Sequence, residues 1–199
     1  RHGAAANPQE RMVLGAGRTA GRSAAHAGSP RTPIGAALHR AMRRFGVPAA
    51  PLEDLIAGCA MDLDPVGIAD EEQLRLYCRR VASAVGHACL FVFGATSAGS
   101  GRYADALGQA LQLTNILRDL RSDAEVGRTY APRSWLDELG VARDWLLGTG
   151  PAEVYARGGA VARLCQRLAE RARERFAVAH DELRRLPPRE RRALVPARI

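Results

Sequence analysis

The sequence contains no lysine: all 29 of its basic residues are arginine. With Gly at 20 residues and Pro at 11, that bias reflects a GC-rich genome as much as selection for a polyanion. The net charge of +8 therefore does not by itself call for nucleic acid. Aromatic residues make up only 5% of the chain and are not interleaved with the arginines, so base-stacking platforms are poorly supplied and no nucleic-acid partner is expected. No stretch approaches 18 uninterrupted apolar residues, which excludes a transmembrane helix. The first residues, RHGAAANPQERMVLGAG, lack the basic-then-apolar order of a signal peptide. A cytoplasmic placement follows, and peripheral contact with the inner face of the membrane is compatible with it. The four cysteines (Cys59, Cys78, Cys89, Cys165) form no C-x-x-C and no metal-ligand rhythm, which argues for reduced thiols. No segment alternates long enough to claim a strand. Acidic residues are absent altogether between Glu10 and Glu53.

What is present is helical. At 47% hydrophobic the chain can bury one sizeable core. Residues 1–32, rich in Gly, Ala, Ser and Arg, show no period and read as a poorly structured or aberrant segment. The absence of an initiating Met suggests a start inside a longer gene. Residues 33–199 read as one partial domain. A helix from Pro33 to about Phe45 ends at Gly46 and Pro48, and Pro51 opens another. Asp70 suits an N-cap for the long run EEQLRLYCRRVASAVGHACLFVFG, in which Ala82, Ser83, Ala84 and Gly86 allow close helix approach. Gly99-Ser100-Gly101 marks a turn, after which a helix is predicted over about 102–123. Short helices near 133–139 and 141–147 and a longer one over 151–185, stopped by Pro187-Pro188, complete an all-α antiparallel bundle around a central cavity.

The helix at 102–123 has two kinds of face. Leu113, Ile116, Leu117 and Leu120 form an apolar stripe, while Gln112, Asn115, Asp119 and Asp123 recur at steps of three, four and four on another. Carboxylates one turn apart repel, so a solvated helix face, moderated by Arg118 and Arg121, is one reading. The other is a metal site. Asn115 adds a neutral oxygen to the stripe and Gln112 extends it, whereas Arg118, Arg128 and Tyr130 lie near the helix end with groups suited to phosphate oxygens. Carboxylate and amide oxygens without His or Cys suit Mg²⁺, which keeps water and bridges to substrate phosphates.

These residues resemble the second aspartate-rich motif of the squalene/phytoene synthase family, N-x-x-x-D-x-x-x-D followed by G-R-x-Y-x-P. Asn115, Asp119, Asp123, Gly127, Arg128, Tyr130 and Pro132 occupy its positions. Tyr77 to Gly86 is similar to the family's Y-C-x-x-V-A-x-x-V-G helix, and Leu55 to Leu63 to its I-x-G-M-x-M-D segment, with Cys59 in place of Met. The wording of RVASAVGHACLFVFG and ALGQALQLTNILRDL looks closest to bacterial presqualene diphosphate synthases of hopanoid and squalene formation. The resemblance implies an isoprenoid-synthase helical fold, Mg²⁺ as cofactor, and farnesyl diphosphate as substrate, joined head to head. It also implies roles: Asp119 and Asp123 as metal ligands supported by Asn115, Arg118 and Arg128 on diphosphate, and Gln112 lining the site. Tyr77 would be a cavity tyrosine that steers the cation or a proton, or else a packed core residue. Val81, Ala82, Val85 and Gly86 would wall the prenyl tunnel, or be ordinary packing.

The family also carries a first D-x-x-x-D helix, and this sequence has none. Asp62 and Asp64, two apart, cannot share a helix face. Residues 11–32 lack a helical period, and the chain stops at RALVPARI, where a closing helix is expected. The sequence therefore predicts a family core with impaired activity. Phytoene-type synthesis, a non-catalytic relative and, further off, a basic helical nucleic-acid module are the alternatives. No oligomeric state follows from these motifs.

Overall fold

The structure, a computed structural model, describes residues 30–63 and 67–195; the expectation for residues 1–32 falls almost wholly outside them, as does Asp64. The described residues contain helices and connecting turns but no strand. Helix α1 (Pro33–Phe45) is capped by the Thr32 hydroxyl, which accepts from the Gly35 N–H at 3.0 Å. It stops where Gly46 takes φ +68°, a left-handed conformation that only glycine adopts without strain. Helix α2 (Ala50–Met61) starts with Pro51 in its first turn. Asp70 caps α3 (Glu71–Cys78) as expected, its carboxylate accepting from the Gln73 N–H at 2.8 Å.

The long run after Asp70 is not a uniform α-helix. Arg79–Ser83 forms a π-turn between α3 and α4 (Ala84–Phe93), with the Ala84 N–H reaching back five residues to the Arg79 carbonyl. Its neighbours approach it closely on two sides. A Cβ on Gly58 of α2 would come within 2.7 Å of Val81 Cγ1, and one on Gly108 within 2.6 Å of the Ser83 backbone. The turn is thus gripped between two glycines, and the small residues at 82–84 permit that approach. The wider turn shifts the phase of everything downstream.

Helix α5 (Ala98–Arg118) runs through the centre of the fold. It begins before the expected Gly99-Ser100-Gly101 turn, because Ser97 accepts from the Ser100 N–H at 3.2 Å and draws those glycines into the first helical turn. It also ends early. Asp119 adopts φ −98°, ψ 8°, and a separate short helix α6 (Leu120–Glu125) follows. The single helix expected over 102–123 is therefore two.

Beyond it come α7 (Arg133–Leu139), a 3₁₀ turn (Arg143–Leu147), α8 (Ala152–Tyr155), α9 (Ala160–Arg185) and α10 (Pro188–Ala193). The helix expected over 151–185 is interrupted at Gly158, with φ +83°, and Gly159, where a Cβ would sit 2.2 Å from the Glu153 carbonyl oxygen. Helix α9 packs along α5. Two apolar clusters result. The larger joins Leu74, Tyr77, Leu113, Ile116, Trp135, Leu164 and Leu168, and the smaller joins Leu90, Tyr103, Ala106, Leu183 and Leu194. No helix among the described residues is long and apolar enough to cross a membrane.

Candidate functional site

The second half of α5 carries the predicted residues to the edge of the larger cluster. Ile116 and Leu113 are buried against it, while Gln112 and Asn115, on an adjacent face, are half-buried. Their side-chain amides have no hydrogen-bond partner among the described residues. The Asn115 carbonyl accepts the Asp119 N–H at 2.8 Å, and the Asp119 carbonyl accepts the Asp123 N–H at 2.8 Å, so helical bonding continues across the break. The break at Asp119 re-aims the two carboxylates relative to a straight helix but keeps them close enough to repel. Burial, then the Asp119 charge, pushes the Asp123 carboxyl above its ordinary value; Arg128 opposes the rise and Asp62 adds to it.

Asp119 is held by its neighbour in sequence. The Arg118 guanidinium donates to both of its oxygens, at 2.7 and 2.5 Å, and holds the carboxyl below the usual range. Arg118 is itself exposed, so this pair can open toward an anion without breaking the core. After α6 the chain turns at Gly127, with φ +77°, and the Arg128 N–H donates to the Asp123 carbonyl at 2.8 Å. That bond brings the Arg128 segment back beside Asp123.

The tyrosines meet at a residue the sequence reading passed over. Tyr77 of α3 and Tyr130 of the loop after α6 stack with centroids 5.0 Å apart and planes 20° apart. Both hydroxyls donate to Oδ1 of Asp62, at 3.0 Å each. Burial, followed by the Asp62 charge, raises the Tyr77 phenol far above its ordinary value. Burial raises the Tyr130 phenol to about 12. Both are neutral donors at any physiological pH. Asp62 was dismissed in the sequence because it cannot pair with Asp64 on a helix. The usable signal was a carboxylate following the apolar run at 55–61, where a half-buried acid calls for donors.

The other predicted residues separate from this group. Val81 packs on the core beside Tyr77, under Gly58. Val85, beyond the π-turn, is 45% exposed. Gly86 faces Ala104, 3.3 Å from where its Cβ would lie. Val85 and Gly86 thus lie beyond the π-turn from Tyr77, one exposed and the other against α5. A cavity of about 110 Å³ between α3, α5 and α9 is lined by Leu74, Cys78, Gln109, Leu113 and Trp135 and does not reach Asp119 or Asp123.

The donor set at the carboxylates is all oxygen, and burial together with the Asp119 charge raises Asp123; a cation would offset both, so the residues fit a hard ion. Among the described residues no three His, Cys, Asp or Glu side chains stand close enough to hold a metal alone. An ion here would complete its shell with water and ligand oxygens.

Comparison with known proteins places this geometry. The sequence model of squalene/phytoene synthase matches residues 2–199. A phytoene synthase of Mycobacterium tuberculosis is 44% identical over 161 residues, covering 81% of this chain and 51% of the relative. A presqualene diphosphate synthase of Rhodopseudomonas palustris is 41% identical over 149 residues, covering 74% and 51%. Among solved structures, squalene synthase HpnC from Alicyclobacillus acidocaldarius superposes with a TM-score of 0.75 at 30% identity, over 92% of this chain and 68% of that one. A dehydrosqualene synthase in complex with ligand gives 0.75 at 25%, over 96% and 66%. The chain spans about half the length of the curated relatives it matches.

Proposed function

The chain belongs to the squalene/phytoene synthase family, a group of prenyltransferase-type synthases of isoprenoid biosynthesis, and from that premise we propose that it carries the diphosphate-facing part of a synthase joining two farnesyl diphosphates head to head to presqualene diphosphate. One observation carries the reading: Asp119, Asp123, Arg128, Tyr130 and Tyr77 stand on family motif positions, and the fold gathers them around the end of α5 and the Asp62 carboxylate.

Asp119 and Asp123, with Asn115 beside them, would hold Mg²⁺. When bound, the ion supplies positive charge opposite a departing diphosphate. The chain's own groups do the rest. Arg118 and Arg128 bind diphosphate oxygens with planar donors. Gln112 offers a further amide at the edge of the site. The apolar cluster beneath, with Leu113, Ile116 and Trp135, excludes water from an allylic cation. Tyr77, neutral and almost fully buried, can orient a proton without ionising.

Because no first D-x-x-x-D helix is present in these 199 residues, diphosphate would be gripped from one side, and we expect the chain by itself to turn over slowly or not at all. The test offers farnesyl and geranylgeranyl diphosphates together with Mg²⁺ to the purified chain and to a version given a family-type D-x-x-x-D helix. A C30 product from the completed version alone supports the reading. Equal, robust turnover by both would show that the missing helix is not needed. A C40 main product would favour the second reading, phytoene-type synthesis, which the 44% identity to a phytoene synthase keeps in view.

A further inference from the structure

We infer that Asp62 is a positioning residue, tying Tyr77 and Tyr130 together so that the segment carrying Arg128 is held beside Asp123. The inference rests on the diphosphate reading of that site. Three distant parts of the chain meet at one oxygen: Asp62 at the end of α2, Tyr77 fifteen residues later and Tyr130 sixty-eight residues later. A carboxylate oxygen accepting two phenols is a stronger link than a neutral acceptor, and the stacked rings above it leave each hydroxyl one direction to point.

The segment from Asp123 to Tyr130 is pinned at both ends. At one end the Arg128 N–H bonds the Asp123 carbonyl, and at the other the Tyr130 hydroxyl bonds Asp62. Between them lies Gly127 in a left-handed conformation with nothing within 4 Å of its would-be Cβ, a natural pivot. Beyond Tyr130 the chain is held independently: the Arg133 N–H donates to the Ile68 carbonyl and the Ser134 N–H to the Ala69 carbonyl. What Asp62 adds is the placement of residues 128–130. An amide could also accept from the tyrosines, but the carboxylate binds them more strongly and adds negative charge where a cation and an arginine are to be gathered.

The test compares the purified chain with Asp62→Ala, Asp62→Asn and Tyr130→Phe. Two readouts are needed: backbone hydrogen exchange at residues 128–130, and calorimetric binding of inorganic diphosphate with Mg²⁺. Asp62→Ala should speed exchange there, and weaken diphosphate binding, each by roughly tenfold. Tyr130→Phe, which keeps the ring and the core, should reproduce both effects. Asp62→Asn should restore exchange more fully than diphosphate affinity, a split that a merely structural role would not give. Unchanged exchange at 128–130 in both Asp62→Ala and Tyr130→Phe overturns the inference, whatever binds. If the wild-type chain binds no diphosphate yet exchange rises in the variants, the positioning role stands and the diphosphate reading falls. If it binds, and all variants bind equally, the diphosphate reading stands and the inference falls.

Discussion

The two halves of α5 use polar residues in opposite ways. In the first half, polar groups close on partners within the chain. Ser97 and Ser100 both donate to the same Glu190 oxygen, at 2.5 and 2.6 Å, tying α10 to the start of α5. Arg102 reaches Glu182 of α9 at 2.9 Å, and the Ser83 hydroxyl donates to the Asp105 carbonyl at 3.0 Å. In the second half, Gln112 and Asn115 leave their amides open, Asp119 breaks the helix, and Asp123 sits where burial and two other carboxylates press on it. One half is built to be stable. The other, with the start of α6, carries Gln112, Asn115, Asp119 and Asp123. Of these only Asp119 has a side-chain hydrogen-bond partner among the described residues, an arrangement open to a ligand.

The largest test of that contrast is at the close-packed end. Gly108 meets the Ser83 backbone so closely that any Cβ lands 2.6 Å from it, and backbone cannot step aside as a side-chain tip can. Gly108→Leu should cost about 3 kcal/mol or more by overpacking, read as a lower urea midpoint. A loss below about 1 kcal/mol would mean that the π-turn yields and is not gripped.

Next in size is the clasp at Glu190. Ser100 is fully buried, so Ser100→Ala should lose about 1–2 kcal/mol at pH 7, as for a buried hydrogen bond to a charged group. Hydrogen bonds from Ser100 and Ser97 hold the Glu190 carboxyl below its ordinary value. A depressed acid contributes stability above its unfolded value, near 4.5, and that part disappears as pH falls through the lower folded value. Melting temperatures at pH 7 and pH 3.5 should therefore converge between wild type and Ser100→Ala. A constant gap would show that the serine acts by packing alone.

Much of this architecture was legible in the sequence, and the failures share a cause in part. Asp70, Gly46 and Pro187 announce helix ends through local chemistry, a side-chain oxygen, a left-handed turn or a missing N–H, and the structure follows them. The π-turn at 79–83 was not legible, because the glycines packed against it, Gly58 and Gly108, lie more than twenty residues away on either side. The Gly99-Ser100-Gly101 stretch misled partly for the same reason, since Glu190, ninety residues on, clasps Ser100, and partly because the local cap from Ser97 went unread. At the site, spacing alone identified Asn115, Asp119 and Asp123 as neighbours. It could not identify Asp62, whose partners are fifteen and sixty-eight residues away.

A smaller effect is expected at His87, which bonds Asp105 at 3.0 Å on the first half of α5. That bond raises the imidazole above 6.5 against the opposing effect of burial, with the Asp105 and Asp54 charges adding to the rise. A raised base stabilises fully below its unfolded value and loses that contribution as pH climbs through the higher folded value. Both side chains are about a third or more exposed, and solvent screening limits the effect to a few tenths of a kcal/mol. His87→Asn should flatten the fall in stability just above pH 6.5. A wild-type profile already flat there would mean that the pair is open in solution.

The smallest effect on the fold belongs to the residue expected to matter most for activity. Asp119 stands at the helix break, screened by solvent, with Arg118 as its partner. Its lowered carboxyl signals attraction to Arg118, which contributes above the unfolded value and fades as pH falls through the folded one. That attraction lies between adjacent, mobile side chains, where surface ion pairs add little. Against it stands the repulsion that Asp119 exerts on Asp123, which Asp119→Asn removes. The two changes oppose each other, so the variant should unfold within error of wild type in low salt and in 0.5 M salt alike, and the Asp123 carboxyl should titrate lower. In a completed synthase the same change should cut turnover roughly a thousandfold, since a metal ligand contributes chiefly when charge develops on the leaving diphosphate. The pair of results separates the halves of α5: Ser100→Ala loses stability, whereas Asp119→Asn loses catalysis alone. If Asp119→Asn instead unfolds early, the carboxylate is a structural member of the helix junction, and the second half of α5 is no different in kind from the first.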